Sequence, residues 1–200
     1  MENRVTLKEA ERGARRDALL NAAGNLFAET GYEGTTIETI AQKAGMAKGS
    51  FYLHFESKEE IFRALIEDTS ERIIERVGAV DGSNKPVEDK LSDIARIMLS
   101  FHLGSSHPWF FTLMEKGIER QQVMEHFYAK RKKVIDIISG ILRTGIEEGT
   151  VVDDEPERLS NLFLGCINGT VVRGYCSKEV ISPDLEAEWI AARFLKGAGK

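Results

Sequence analysis

Residues 35–55 read TTIETIAQKAGMAKGSFYLHF, two short polar–apolar stretches joined through Ala44-Gly45-Met46. Thr35 with Glu38 three positions on has the spacing of a capping box, which opens a short helix through Lys43 that Gly45 closes. A second short helix follows from about Lys48 to Phe55. At helical periodicity Phe51 and Phe55 share the face turned to a core, and Gly49, Ser50 and Leu53 lie nearly opposite. Lys48 and Tyr52 flank that outer face on one edge and His54 on the other. Two short helices about a tight glycine turn have the shape of a helix-turn-helix, whose second member enters the DNA major groove. The outer set suits a groove: Gly49 permits close backbone approach, Ser50 can bond a base or phosphate, Leu53 can touch a thymine methyl, and Lys48 can reach guanine. Any small helical domain also uses short amphipathic helices with glycine turns, so periodicity alone leaves both readings open.

The flanking segments are helical too. Upstream, residues 14–30 put Ala18, Leu19, Ala22, Ala23, Leu26 and Phe27 on one face, and Gly31-Tyr32 supplies a left-handed cap with an apolar contact back to Phe27. Downstream, Ser57 and Glu60 form a second capping box. The helix they open carries Ile61, Phe62, Leu65, Ile66, Ile73 and Val77 as far as Gly78. Pro86 starts a helix to His102, a short aromatic helix covers Trp109–Lys116, and a long one runs from about Gln121 to Glu148. Pro156 and Pro183 start the last two, roughly 156–175 and 183–196. The expected fold is all-α with about nine helices: a three-helix helix-turn-helix domain over 1–56 and a larger helical domain over 57–200.

Composition narrows the function classes. The 200 residues carry 27 Lys+Arg against 32 Asp+Glu, net −5, with 42% apolar and 30% charged residues, a globular balance that argues against disorder. The first residues hold charges where an export signal needs an apolar stretch. The longest charge-free run, Ile97 to Met114, is broken by Gly104 and Pro108, so no membrane span and a cytoplasmic location are expected. Cys166 and Cys176 lie ten residues apart, roughly 15 Å along one helix, too far for a disulfide. Two free thiols fit a reducing compartment.

The stretch Phe27–Leu65, FAETGYEGTTIETIAQKAGMAKGSFYLHFESKEEIFRAL, resembles the DNA-binding domain of the TetR family of bacterial transcriptional regulators almost residue for residue. Phe27, Gly31-Tyr32, Thr35-Thr36, Ile40-Ala41, Ala44-Gly45, Lys48-Gly49, Tyr52, Phe55 and Ser57-Lys58-Glu59 carry the likeness. The resemblance implies that Thr36 touches backbone phosphate, that Lys48, Gly49, Ser50, Tyr52 and His54 meet bases or phosphates, and that Lys58 clamps a further phosphate. One departure stands out. Where many relatives place Ser or Thr before Lys-Gly, this chain has Ala47, which removes the hydroxyl cap of the recognition helix.

Charge placement matters more than its sum. Residues 1–63 hold nine basic and ten acidic side chains, but Arg4, Lys8, Arg12, Arg15 and Arg16 at one end and Lys43, Lys48 and Lys58 further on leave both segments net positive. Asp17, Glu29, Glu33 and Glu38 fall between them. The basic start of the chain reads either as an arm that binds phosphates or the minor groove, or as a solvated tail.

By the same resemblance the C-terminal part senses a ligand and dimerises. Two-fold pairing sets two recognition helices one DNA turn apart, about 34–36 Å, and implies a palindromic double-stranded DNA operator bound by a homodimer. The last two helices are the expected interface, with Gly165, Cys166 and Gly169 allowing close approach and Trp189 and Phe194 as anchors. His102, Trp109, Phe110, Phe111, Met114, Phe127, Tyr128, Asn168 and Arg173 are candidates to line a pocket for an unidentified small-molecule effector of hydrophobic character. Buried Asn168 would need a hydrogen-bond partner, and Arg173 would pair with an effector anion or a neighbouring Glu. The implied function is a repressor released from its operator by that effector, with activation as the alternative.

Two other classes have less support. A helical metal enzyme usually shows Glu-x-x-His pairs, and none of the four His has a Glu three positions earlier; His-Glu-x-x-His, Cys-x-x-Cys, Walker and Gly-x-Ser-x-Gly motifs are also missing. His102 and His107 flank a loop but lack a third ligand nearby in sequence. No catalysis, cofactor or metal is therefore expected. An adaptor would use the basic run Lys130–Lys133, which reads more simply as a solvated helix turn.

Overall fold

A computed structural model describes residues 2–103, 120–177 and 179–198. Eight helices occupy them: α1 Glu2–Gly34, α2 Ile37–Lys43, α3 Lys48–Phe51, α4 Lys58–Asp81, α5 Val87–Leu103, α6 Arg120–Glu147, α7 Pro156–Ser177 and α8 Pro183–Ala198. The fold is all-α, as the periodicity implies. The aromatic helix expected over Trp109–Lys116, with Trp109, Phe110, Phe111 and Met114, lies outside the described residues, as does His107. The chain divides into two compact units, and the division falls inside α4, between Asp68 and Thr69, where the sequence reading set 1–56 against 57–200.

In the first unit the inward stripe of α1 (Leu19, Ala23, Phe27) meets Ile40 and Ala41 of α2, Phe51 and Phe55 around α3, and Ile61 and Phe62 of α4, all buried. Phe27 stacks on Tyr32 at 5.4 Å and meets Phe62 edge-on at 5.3 Å, while Tyr32 and Phe62 are 5.1 Å apart. Such ring pairs add about 0.5–1.5 kcal/mol each beyond their buried area. The contact of Tyr32 with Phe27 is the one expected, but the backbone is not. Gly31 has φ 73 and ψ 169, positive as only glycine readily allows yet outside the left-handed helical well, so α1 kinks there and makes a last turn to Gly34. The N-terminal expectation is corrected as well. Helix begins at Glu2, so the basic segment prolongs α1 instead of forming a separate arm. Residues 2–16 are rich in Glu, Lys, Arg and Ala and contain no Pro, so nothing local stops the helix short of that point.

The second unit is a helical bundle. Leu91, Ile94, Ala95 and Leu99 of α5 face Ala187, Ile190, Ala191 and Phe194 of α8, and Val134, Ile138, Ile141 and Leu142 of α6 face Leu159, Phe163, Leu164 and Ile167 of α7. Phe163 and Phe194 pack edge-to-face at 5.2 Å. The buried hydroxyls of Ser139 and Ser160 bond each other at 2.9 Å, and Ser160 also donates to the Pro156 carbonyl. Arg96 ties α5 to α8, with Nε 2.8 Å from Asp184 and Nη1 2.6 Å from Asp93. Gly78 does not end α4, which continues to Asp81; a glycine inside a helix costs only about 1 kcal/mol.

Phe163→Ala removes a fully buried ring and should lower unfolding free energy by about 3–5 kcal/mol, read in urea denaturation followed by circular dichroism. A loss below about 1 kcal/mol would contradict the packing described.

Candidate nucleic-acid interface

The geometry of α2 and α3 is set by their ends. Thr36, not Thr35, is the N-cap of α2: the Thr39 N–H donates to Thr36 Oγ1 at 3.2 Å, and the Thr36 N–H donates to Thr39 Oγ1 at 3.1 Å. The capping box is thus shifted by one from the Thr35/Glu38 spacing. Thr35 is buried instead, its hydroxyl donating to the Gly31 carbonyl at 2.8 Å. Thr39 closes the box, and the Glu38 carboxylate, in contact with its own backbone and Thr36, reaches across to the Lys48 ammonium.

At the other end of α2, Gly45 has φ 71, Met46 N–H donates to Ala41 O and Gly45 N–H to Gln42 O, a Schellman stop that turns the chain sharply. Ala47 then caps α3 without a side-chain bond, and its own carbonyl takes the Ser50 N–H at 2.9 Å, the backbone substituting for the missing hydroxyl. The α-helix proper is one turn, Lys48–Phe51, shorter than the Lys48–Phe55 helix expected. Residues 52–55 follow in tight turns, with His54 N–H on Phe51 O at 2.9 Å and Leu53 N–H on Ser50 O at 3.3 Å.

Phe51 and Phe55 are buried at 0% and 2% exposure, and this anchoring turns the rest of the segment outward. Leu53 is 70% exposed and Tyr52 49%, both large apolar groups that a free-standing surface would normally cover. Lys48, Gly49 and Thr36 are exposed, and Ser50 and His54 are half-buried. A Cβ at Gly49 would meet nothing within 4 Å, so packing inside the chain does not require glycine there.

Around this surface the charges are arranged in ways the sequence did not reveal. Arg12, Arg15 and Arg16, exposed on α1, bear on His54, and Arg16 lies 5.2 Å over the Phe55 ring. Their neighbourhood to the recognition segment depends on helix packing and carries no local sequence signal. Burial and then these guanidiniums hold the His54 imidazole below its ordinary value of 6.5. Lys58 has a structural role as well. Its ammonium donates to the Tyr32 carbonyl at 2.9 Å and the Thr35 carbonyl at 3.1 Å and sits 4.2 Å from the Tyr32 ring, so it locks α4 to the end of α1. The Ser57/Glu60 box is half realised: Glu60 N–H donates to Ser57 Oγ, but the Glu60 carboxylate accepts from the Glu56 N–H one residue further back.

Of the effector candidates, His102, Tyr128, Asn168 and Arg173 lie among the described side chains of the second unit. His102 is half-buried at the end of α5, Tyr128 is exposed on α6, and the side chain of Phe127 lies outside the described residues. Asn168 is only half-buried. Arg173 is exposed and takes the alternative partner foreseen for it, bonding Glu186 at 2.5 Å with Glu179 at 3.9 Å. A hollow of about 280 Å³ lined by Ser83, Lys85, Val87, Ile141, Thr144 and Glu148 contains none of them. The basic run is likewise engaged within its unit: Lys130 pairs with Glu71, Arg131 with Asn161, and Lys132 with Asp136.

On α7, Gly165, Cys166 and Gly169 are exposed, with open space where a Cβ would stand on either glycine. Trp189 of α8 is 57% exposed. Phe194 is corrected: at 6% exposure it belongs to the core against Phe163 and is no surface anchor.

Residues 19–65, which hold this whole surface from the α1 stripe to Lys58, match the profile described as "Bacterial regulatory proteins, tetR family". The chain is also 30% identical over 166 residues to the HTH-type transcriptional repressor KstR2 of Mycobacterium tuberculosis, covering 81% of this chain and 82% of that one. The chain belongs to the TetR family. This TetR-family regulator is 27% identical over 154 residues to the fatty acid metabolism regulator protein of Bacillus subtilis, covering 76% of its own length and 79% of the relative's. Among solved structures it shares the fold of the fatty acid degradation regulator FadR from Bacillus halodurans, at TM-score 0.80 and 19% identity over 92% of this chain and 95% of that one. FadR from Bacillus subtilis in complex with stearoyl-CoA gives TM-score 0.78 at 23% identity, over 90% and 97%. The TetR-family relatives are named as regulators and repressors, not as enzymes.

The depressed value of His54 has a stability consequence. Between that value and about 6.5 the unfolded chain binds more protons than the folded one, so the stability present above 6.5 is lost as pH falls through the folded value. An NMR titration should place the His54 midpoint below 6.5, and His54→Asn should flatten the pH dependence in that interval. A midpoint above 6.5 would contradict the placement of the three arginines.

Proposed function

We propose that this transcriptional regulator is a homodimeric repressor that lays one recognition segment per subunit on a palindromic operator and lets go when a hydrophobic effector binds. The observation that carries the reading is the division of residues 48–55 into a buried aromatic edge and an outward set. In the proposed complex Lys48 and Leu53 touch base edges, Gly49 allows the backbone close, and Thr36, Ser50, Tyr52 and His54 hold phosphates and sugars. Arg12, Arg15 and Arg16 supply a positive field near His54.

Dimerisation is supported by apolar surface left uncovered within the second unit. Leu162, Val172 and Tyr175 of α7 are exposed along with Gly165, Cys166 and Gly169 between them, and Leu185 and Trp189 are exposed on α8. A stripe at this helical spacing, with small residues in its middle, suits a helix-on-helix interface of about 800 Å² per subunit. α4 belongs to both units of the chain and is the segment through which an effector in the second would move the first. A coupling of about 1–3 kcal/mol, reciprocal between DNA and effector, suffices for such a switch. The names of the Bacillus relatives make long-chain acyl-CoA the first effector to try.

Lys48→Ala and Tyr52→Ala should each weaken operator binding about tenfold, corresponding to about 1–3 kcal/mol for a contact of this kind, in fluorescence anisotropy with a duplex recovered from a genomic pool. Unchanged affinity in both contradicts the assignment of the interface. Trp189→Glu should convert a dimer to a monomer in light scattering, and a wild-type protein that is monomeric at micromolar concentration contradicts the dimer. Stearoyl-CoA should lower operator affinity; an unchanged affinity removes acyl-CoA as the effector.

A further inference from the structure

We infer that Glu38 is a specificity-determining residue of the DNA-binding head, a carboxylate that holds Lys48 between encounters and accepts a cytosine amino group at the operator. The inference rests on the DNA-binding reading of residues 48–54 and deepens it. Glu38 stands in the first turn of α2, where Thr36 and Thr39 form the reciprocal capping box; its carboxylate keeps contact with its own backbone and with Thr36 at the helix start. It also pairs with Lys48, the first residue of α3 and the cation of the outward set. Both side chains remain more than half exposed, 52% for Lys48 and 56% for Glu38. An ion pair so wet contributes little to stability, so the fold does not need it. It joins the two helices of the helix-turn-helix on their solvent side, and it puts a negative charge beside the residues meant for a polyanion.

A carboxylate there has few acceptable partners. Phosphate, the acceptor edges of guanine and thymine O4 repel it; adenine offers an N6 amino donor but places the N7 acceptor beside it, whereas cytosine presents its N4 amino group in the major groove with no acceptor on the same base edge. The neighbouring ammonium has the complementary demand and is satisfied by guanine O6 and N7. Lys48 and Glu38 together therefore fit a G·C-containing step. Elsewhere on a duplex Lys48 must either stay with Glu38 and give up its contact, or leave Glu38 unpaired beside phosphate. Non-specific binding is weakened in both cases, and the register with cytosine under Glu38 is favoured. The hydrogen bond from Lys48 holds the Glu38 carboxyl below its ordinary range, so the group is ionised throughout the neutral region.

The chain contains its own control. Glu29 and Lys43 form a second exposed ion pair in the same unit, Nζ to Oε1 at 2.7 Å, between α1 and α2. Full-length wild type, Glu38→Gln and Glu29→Gln are each taken through selection from a random-sequence duplex pool and then titrated with one fixed duplex that the selection did not enrich. Each substitution removes one negative charge and frees one lysine. Glu38→Gln should bind the fixed duplex several-fold tighter, and the selected set should lose its cytosine preference at one position per half-site by about tenfold. Glu29→Gln should keep the wild-type preferences. Identical selected sequences for wild type and Glu38→Gln overturn the inference while leaving the DNA-binding reading in place, and so do equal changes in the two variants, which indicate net charge alone. A wild type that enriches no sequence overturns both.

Discussion

The two phenylalanines at positions 51 and 55 are the constraint on which the proposed DNA-binding surface depends. Four residues apart, both buried and with their rings 5.8 Å apart, they fix which side of the backbone between them faces the core. That leaves Tyr52 and Leu53 facing solvent. One turn of α-helix has almost no intrinsic stability, and α3 lacks a side-chain cap. Its conformation is therefore imposed by burial of the two rings and by the Gly45 turn before it. The recognition surface is the complement of a hydrophobic core, which explains how so short a segment presents a defined shape.

Charge in this head is organised at closer range than its sum suggests. A net excess of acid over residues 1–63 would oppose DNA if the acids were spread evenly, but three of them have a local partner. Glu29 faces Lys43, Glu38 faces Lys48, and Glu59 accepts from the Tyr32 hydroxyl. The three α1 arginines near His54 form no ion pair with these acids and stay exposed. With a screening length of about 8 Å at physiological ionic strength, a duplex at the recognition surface responds to these near neighbours more than to the summed charge of the chain.

Much of this was legible in the sequence because it is local. The 3.6-residue spacing of Leu19, Ala23 and Phe27 marks α1, Gly45 marks the turn, and the Phe51/Phe55 spacing marks which side of α3 is buried. What escaped is non-local or a close contest between equivalents. Thr35 and Thr36 offer the same hydroxyl, and only the burial of Thr35 against Gly31 and the availability of Thr39 decide which one caps. Lys58 reads as a free cation until α4 docks and brings the Tyr32 and Thr35 carbonyls within reach. Trp189 and Phe194, five residues apart on one amphipathic helix, look alike in sequence and end on opposite sides of it.

The central claim, that residues 48–54 are the face that meets the duplex, is tested most directly by amide chemical-shift mapping of the full-length protein titrated with a selected operator duplex. The largest shifts are predicted at Thr36 and through Lys48–His54, with smaller ones at Arg12–Arg16 and none that saturate at the same ratio on the exposed α7–α8 stripe. Shifts concentrated on α7 and α8 with Lys48–His54 unmoved would contradict it.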